Sequence, residues 1–202
     1  MFTKNNMGTH RVIALLLLLL LLPTMAYPYG YGGSASEDPV LLAFKDSISA
    51  VKANDWEKVE KVINNVSHTI ESMDEYFGFN LLPELKKAVS EKNFKMVVKL
   101  LANLIYLSMI EKFEIMAEKK LEAEYTKGKL EVCKIYYTGV LRGNVKAYDK
   151  KNGTSFKDEI SKAFNELDEL YKDPANLEKF KATTDGIREK LNKAFDYFVF
   201  KK

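Results

Sequence analysis

The sequence predicts an all-α protein: a bundle of six to seven helices, arranged as antiparallel helical hairpins, behind a cleaved N-terminal signal peptide. Three observations carry this. Beyond residue 38 the apolar side chains recur at alternating steps of three and four, the spacing of a helix face that packs. Helix-start signals, such as Asp38-Pro39 and Asp173-Pro174, stand at the head of these stripes. No segment alternates with period two or shows the turn spacing of a sheet.

The chain begins with Lys4 and Arg11, no acid in its first 26 residues, and an unbroken apolar run from Val12 to Leu22 that ends at Pro23. Small residues follow at Thr24-Met25-Ala26, so residues 1–26 read as a secretory signal peptide cleaved after Ala26. Eleven residues of helix cover only about half of a hydrocarbon core that needs about 20, which argues against a permanent anchor. Membrane contact is therefore expected only through the uncleaved signal. The mature protein is expected to be extracytoplasmic, either periplasmic or secreted.

Removing 26 residues from 202 leaves 176, and with Lys4 and Arg11 gone the count is 29 basic against 28 acidic side chains. No basic cluster with interleaved aromatics remains to neutralise phosphates, so no nucleic-acid partner is expected. With Cys133 as the only thiol, no intramolecular disulfide can form and stability rests on packing. Residues 27–38 are a Tyr/Pro/Gly leader without apolar period, expected to be flexible, and 39–202 are read as a single helical domain.

The first helix aligns Leu41, Phe44, Ile48 and Val51. Asp55 then caps a second, continuous one whose stripe runs from Trp56 through Val59, Ile63, Val66, Ile70 and Met73 to Phe77, where Gly78 stops it. A short third helix carries Leu82, Leu85 and Val89. The most apolar stretch, 94–121, is expected to be a central helix with neighbours on several sides. A break is expected at Thr126-Lys127-Gly128, before a fifth helix over 129–150. Ser155 with Asp158 resembles a capping box for the sixth, and the last aligns Leu177, Phe180, Ile187 and Leu191. Residues 50–56 match 88–94 at an offset of 38, which implies two units of one design. Trp56, Phe94 and Phe156 head their helices and are expected in the core. Tyr136 and Tyr137 are consecutive and are not both expected to point inward, which with Phe195, Tyr197, Phe198 and Phe200 suggests a partner surface.

Two sets of residues suit a metal ion. Glu111, Glu114 and Glu118, continued by Glu122, form an acidic line on the fourth helix, and carboxylates converging from bundle helices bind iron or another divalent cation. The interspersed Lys112, Lys119 and Lys120 also suit a helix end that is simply solvated. The alternative pair is His68 and Glu71, an H-x-x-E spacing, although projection places both opposite the seam centred on Val59 and Val66. Cys133 shares a stripe with Leu130, Tyr137 and Val140 and reads as a small buried hydrophobe. No nucleophile–base pair or phosphate loop is evident, so catalysis is not expected. Asn65 and Asn152 open glycosylation sequons at exposed positions.

The segments Leu85-Lys86-Lys87-Ala88-Val89 and 98–107, with the Lys-rich helix that carries Tyr136-Tyr137, resemble extracytoplasmic helical proteins of iron acquisition: imelysin-like periplasmic proteins and the helical segment of some iron permeases. The first group carries G-x-H-x-x-E, matched by His68 and Glu71 with Val66 in the glycine's place. The second carries R-E-x-x-E, matched by Glu111 and Glu114 with Ile110 in the arginine's place. The resemblance implies a binding protein that is an accessory in iron or other metal-ion handling, with an envelope or membrane-protein partner. The residues alone equally suit a metal-free interaction or structural module of the cell envelope.

Overall fold

The first turn of the fold forms because Asp38 and Pro39 act together. The Asp38 carboxylate accepts from the backbone N–H groups of Val40 and Leu41, each at 3.1 Å, and Pro39 occupies a position whose missing N–H has no partner to lose. The computed structural model describes residues 38–195. The expected signal peptide, residues 27–37 of the leader, and Tyr197, Phe198 and Phe200 lie outside the described residues.

Among the described residues the chain is helical and contains no strand. The helices are α1 (Pro39–Lys52), α2 (Trp56–Asn65), α3 (Ser67–Phe77), α4 (Leu81–Ser90), α5 (Phe94–Glu118), α6 (Ala123–Tyr136), α7 (Arg142–Asn152), α8 (Phe156–Leu170) and α9 (Leu177–Ala194). A π-helical turn at Tyr137–Leu141 joins α6 to α7 without interruption, so these labels describe eight helical rods. No helix of the described residues is long and apolar enough to cross a membrane.

Helix α5 is the axis of the bundle. It packs against α1, α3, α4, α6 and α9, and every residue from Leu100 to Ile110 is buried. A helix apolar all round needs neighbours all round, which is the arrangement its composition predicts. Sequential helices also pair with one another, α1 with α2 and α8 with α9.

Four loops share two recurring devices. The turn before α2 and the turn before α5 are superimposable in their bonding: Asp55 N–H reaches the Ala50 carbonyl as Asn93 N–H reaches that of Ala88, both at 2.9 Å, and Asn54 and Lys92 take positive φ. The Asp55 and Asn93 side chains then cap Lys58 and Met96. The 38-residue repeat is thus a repeat of turn geometry. A second device pairs Asp74 with Asp149. Each carboxylate crosses a left-handed glycine, Gly78 or Gly153, and accepts from the first two N–H groups of the next helix: Leu81 and Leu82 at 2.8 and 2.9 Å, Phe156 and Lys157 at 2.9 and 2.8 Å.

Several expectations change. The second helix is two, because Asn64 and Asn65 propagate poorly and the Ser67 hydroxyl bonds the Asn64 carbonyl at 2.9 Å, so the rod breaks at Val66. The break expected at Thr126-Lys127-Gly128 falls at Lys119–Leu121, where Lys120 and Leu121 adopt positive φ so that Leu121 can bury. Gly128 lies within α6. Ser155 makes no capping bond to the backbone of α8, since Asp149 already supplies that cap. Phe94 is 47% exposed and outside the core. Tyr136 and Tyr137 are both fully buried, since this rod has neighbours on two sides: Tyr136 points to α1 and α5, Tyr137 to α8.

Candidate functional site

The most polar part of the interior lies where α1, α5 and α6 meet. Lys112 is 5% exposed, and a lysine is found at such burial only when partnered. Its Nζ donates to Ser108 Oγ at 2.8 Å, one turn back on α5, and stands 3.9 Å from Asp38 Oδ2. Ser108 Oγ and Tyr136 Oη are 3.1 Å apart, and Tyr136 donates to Asp38 Oδ1 at 2.6 Å. Because the tyrosine proton goes to the carboxylate, the serine proton goes to the tyrosine oxygen. The bonds therefore run in one direction, from ammonium through two hydroxyls to carboxylate, and such a chain polarises each member in the same sense. The ammonium also lies 5.3 Å from the Tyr136 ring centroid. The Asp38 side chain is 12% exposed, the most of the four.

The π turn begins at the residue after Tyr136. Such turns widen a helix by one residue and are frequent at functional sites. Burial drives the Tyr136 hydroxyl well above its ordinary pKa, and the neighbouring Asp38 charge adds to it. Cys133, one turn before, is wholly buried with its thiol pushed up to about 12 by desolvation, so it is neutral and unreactive.

The acidic line divides. Glu111 is half-buried beside this centre, its carboxyl raised first by burial and held back by Lys112 and Lys129. Lys129 is lowered by burial and by Lys112. Glu114 accepts from the Tyr76 hydroxyl of α3 at 2.9 Å, and desolvation together with this bond pushes that hydroxyl up to about 12. Glu114 and Glu118 then face a groove of about 370 Å³ between α5 and α9. Its floor is Ile110, Phe113 and Ala117, and across it stand Lys181, Asp185 and Arg188. Glu122 is not on this helix; it precedes α6 and is exposed. Lys112 is not on a solvated end, as its company with Lys119 and Lys120 suggests, but in the core. Both of the latter are exposed.

His68 and Glu71 are exposed on α3, one turn apart. Among the described residues no group of three or more His, Cys, Asp or Glu side chains lies at metal-binding spacing. Asn65 and Asn152 are exposed.

Asp38, Ser108, Lys112 and Tyr136 are the residues that sequence reasoning leaves out as a group. A signal exists for half of them: Ser108 and Lys112 interrupt the most apolar helix at a spacing of four, so they share its buried face. Asp38 is visible only as a cap, and nothing in its neighbourhood announces a partner 98 residues away.

No family model, no curated protein and no solved structure matches the chain.

Proposed function

We propose that the chain is a secreted or periplasmic helical binding protein that acts by binding rather than by catalysis, and that the groove between α5 and α9 is its binding face. The groove itself carries this reading. It joins an apolar floor to a rim of both charge signs, the composition of a site that orients an organic or peptide partner. Its ion pairs, Arg188 with Asp185 at 2.6 Å and Lys181 with Glu178 at 2.9 Å, are exposed on at least one side and worth about 0–1 kcal/mol, so exchange with a partner's charges costs little. The extracytoplasmic location rests on the acid-free, apolar N-terminus that reads as a cleaved signal. The hairpin arrangement is supported by sequential helices joined through short turns, α1 with α2, α4 with α5 and α8 with α9. In this reading the protein is a metal-free module of the cell envelope with a protein partner.

The second reading is an accessory in iron or other divalent-cation handling, in keeping with the likeness to imelysin-like and iron-permease proteins. What favours it is that Glu114, Glu118 and Asp185 share one groove, with Glu111 close enough to act on the Tyr76 hydroxyl together with Glu114 and Glu118. Against it stand Lys181 and Arg188 on the opposite wall, which repel a bare cation. His68 and Glu71 are the alternative ligands, open to solvent.

The two readings separate by capture of an envelope partner with the intact chain in chelator. Retention in chelator and loss on replacing the rim residues Lys181 and Arg188 by Ala support the first. Capture abolished by chelator, or unchanged by these substitutions, overturns it.

A further inference from the structure

The Asp38 carboxylate is held as a bound ligand would be. It receives the Tyr136 hydroxyl at 2.6 Å and two backbone N–H groups at 3.1 Å, and it faces the Lys112 ammonium at 3.9 Å. Those groups come from three separate helices, and Ser108 completes the set by bridging the cation to the hydroxyl. A cation from α5 and a tyrosine hydroxyl from α6 meet on one carboxylate, with the serine hydroxyl linking them behind it, and these are the parts of an anion site.

The burial gradient gives this set a direction. Ser108 and Tyr136 are wholly buried and the Lys112 side chain is 6% exposed, while that of Asp38 is 12% exposed and the next residue, Pro39, is exposed. Asp38 therefore stands between solvent and the cation. A lysine used only for structure is cheaper on the surface. One enclosed behind a single carboxylate, at the first turn of a helix, is placed for that carboxylate to be exchanged.

We propose that Asp38 is the built-in occupant of a carboxylate-binding site formed by Lys112, Tyr136 and Ser108, and that the first turn of α1 is a strap whose displacement opens this site to a small organic carboxylate. The strap and the ligand compete for the Tyr136 hydroxyl and the Lys112 ammonium, since the Val40 and Leu41 N–H groups move with the strap. Displacing Asp38 exchanges one carboxylate for another, so the buried ammonium is never left without a counter-charge. The site is separate from the α5/α9 groove and does not depend on what that groove binds.

Removing the occupant tests this. In the intact chain at neutral pH and fixed ionic strength, Asp38→Ala empties the site, and acetate serves as the probe with chloride as control. The thermal midpoint of D38A is expected to rise saturably with acetate, by about 3–5 °C at a tenfold excess over half-saturation. The same acetate raises the wild-type midpoint by less and only at higher concentration, because it must first displace Asp38. Adding Lys112→Met to D38A abolishes the rise. Should D38A not fold, Asp38→Ser keeps a hydroxyl cap on α1 and gives the same readings, and folding of D38A regained only in acetate counts in favour. An equal rise with chloride, an equal rise in wild type, an undiminished rise in the D38A/K112M chain, or no rise in either single variant overturns the proposal.

Discussion

The Tyr136 hydroxyl donates to the Asp38 carboxylate at 2.6 Å, joining the cap of α1 to the last residue of α6 across 98 positions of sequence. The bond is charge-assisted and its tyrosine is wholly buried, so it belongs to the stronger class. Tyr136→Phe removes the donor and leaves the α1 cap in place. It is expected to cost about 1.5–3 kcal/mol in chemical denaturation.

Lys112 answers the same carboxylate from α5. Lys112→Met leaves Asp38 in a largely enclosed site without its cation and is expected to cost about 3–5 kcal/mol. The chain carrying both K112M and Asp38→Asn is expected to lose less than the two single losses combined, because neither charge is then stranded. Strict additivity of the two in a denaturation cycle would show that they do not interact.

Asp149 holds the start of α8 through two backbone N–H groups. Burial alone raises its carboxyl, but hydrogen bonds from Thr154, Lys157 and Phe156 outweigh this and hold it below the usual range. A depressed carboxyl contributes stability that is present above its unfolded pKa of about 4 and is lost as pH falls through the folded value. Asp149→Ala is expected to cost about 1–2 kcal/mol at neutral pH. Its deficit relative to wild type narrows below about pH 4.

Glu111 has the opposite sign. Burial raises its carboxyl, so folding disfavours the charged form, and protonation in acid relieves that cost. Glu111→Gln is expected to match or exceed the wild-type thermal midpoint at neutral pH, and the advantage shrinks as pH falls toward the ordinary carboxylate range. A lowered midpoint at neutral pH would show that its lysine neighbours outweigh its burial.

Cys133 is buried beside the Met109 carbonyl. With the thiol pushed up to about 12, a disulfide reagent at pH 8 is expected to label it only upon unfolding, and oxidation of the native protein yields no disulfide dimer. Labelling of the folded protein within the mixing time would contradict its burial.

What could be read in the sequence was whatever is local. The Asp38-Pro39 start, the Gly78 stop, the all-round burial of α5 and the thiol at Cys133 follow from spacing and cap chemistry over a few residues. The repeat at an offset of 38 likewise reappears as two matching turns. The break at Val66 was missed because an apolar stripe passes through it, so periodicity stays intact while the backbone does not. The inward placement of both Tyr136 and Tyr137 was missed because a projection assumes one buried face, and this rod has two. Composition groups Lys112 with Lys119 and Lys120, yet its distance from the helix end places it in the core. The Asp38–Lys112–Tyr136 centre joins three helices, and such a meeting is a property of packing that no window of sequence contains.

The central functional claim is that the α5/α9 groove binds a partner without a metal. Calorimetric titration of the intact chain with Fe(II), Fe(III), Zn(II) and Ca(II) tests it most directly. The account predicts no saturable heat at any affinity tighter than about millimolar, a binding free energy of roughly 4 kcal/mol. An ion bound more tightly than that, and released when Glu114 and Glu118 are replaced by Gln, would contradict it.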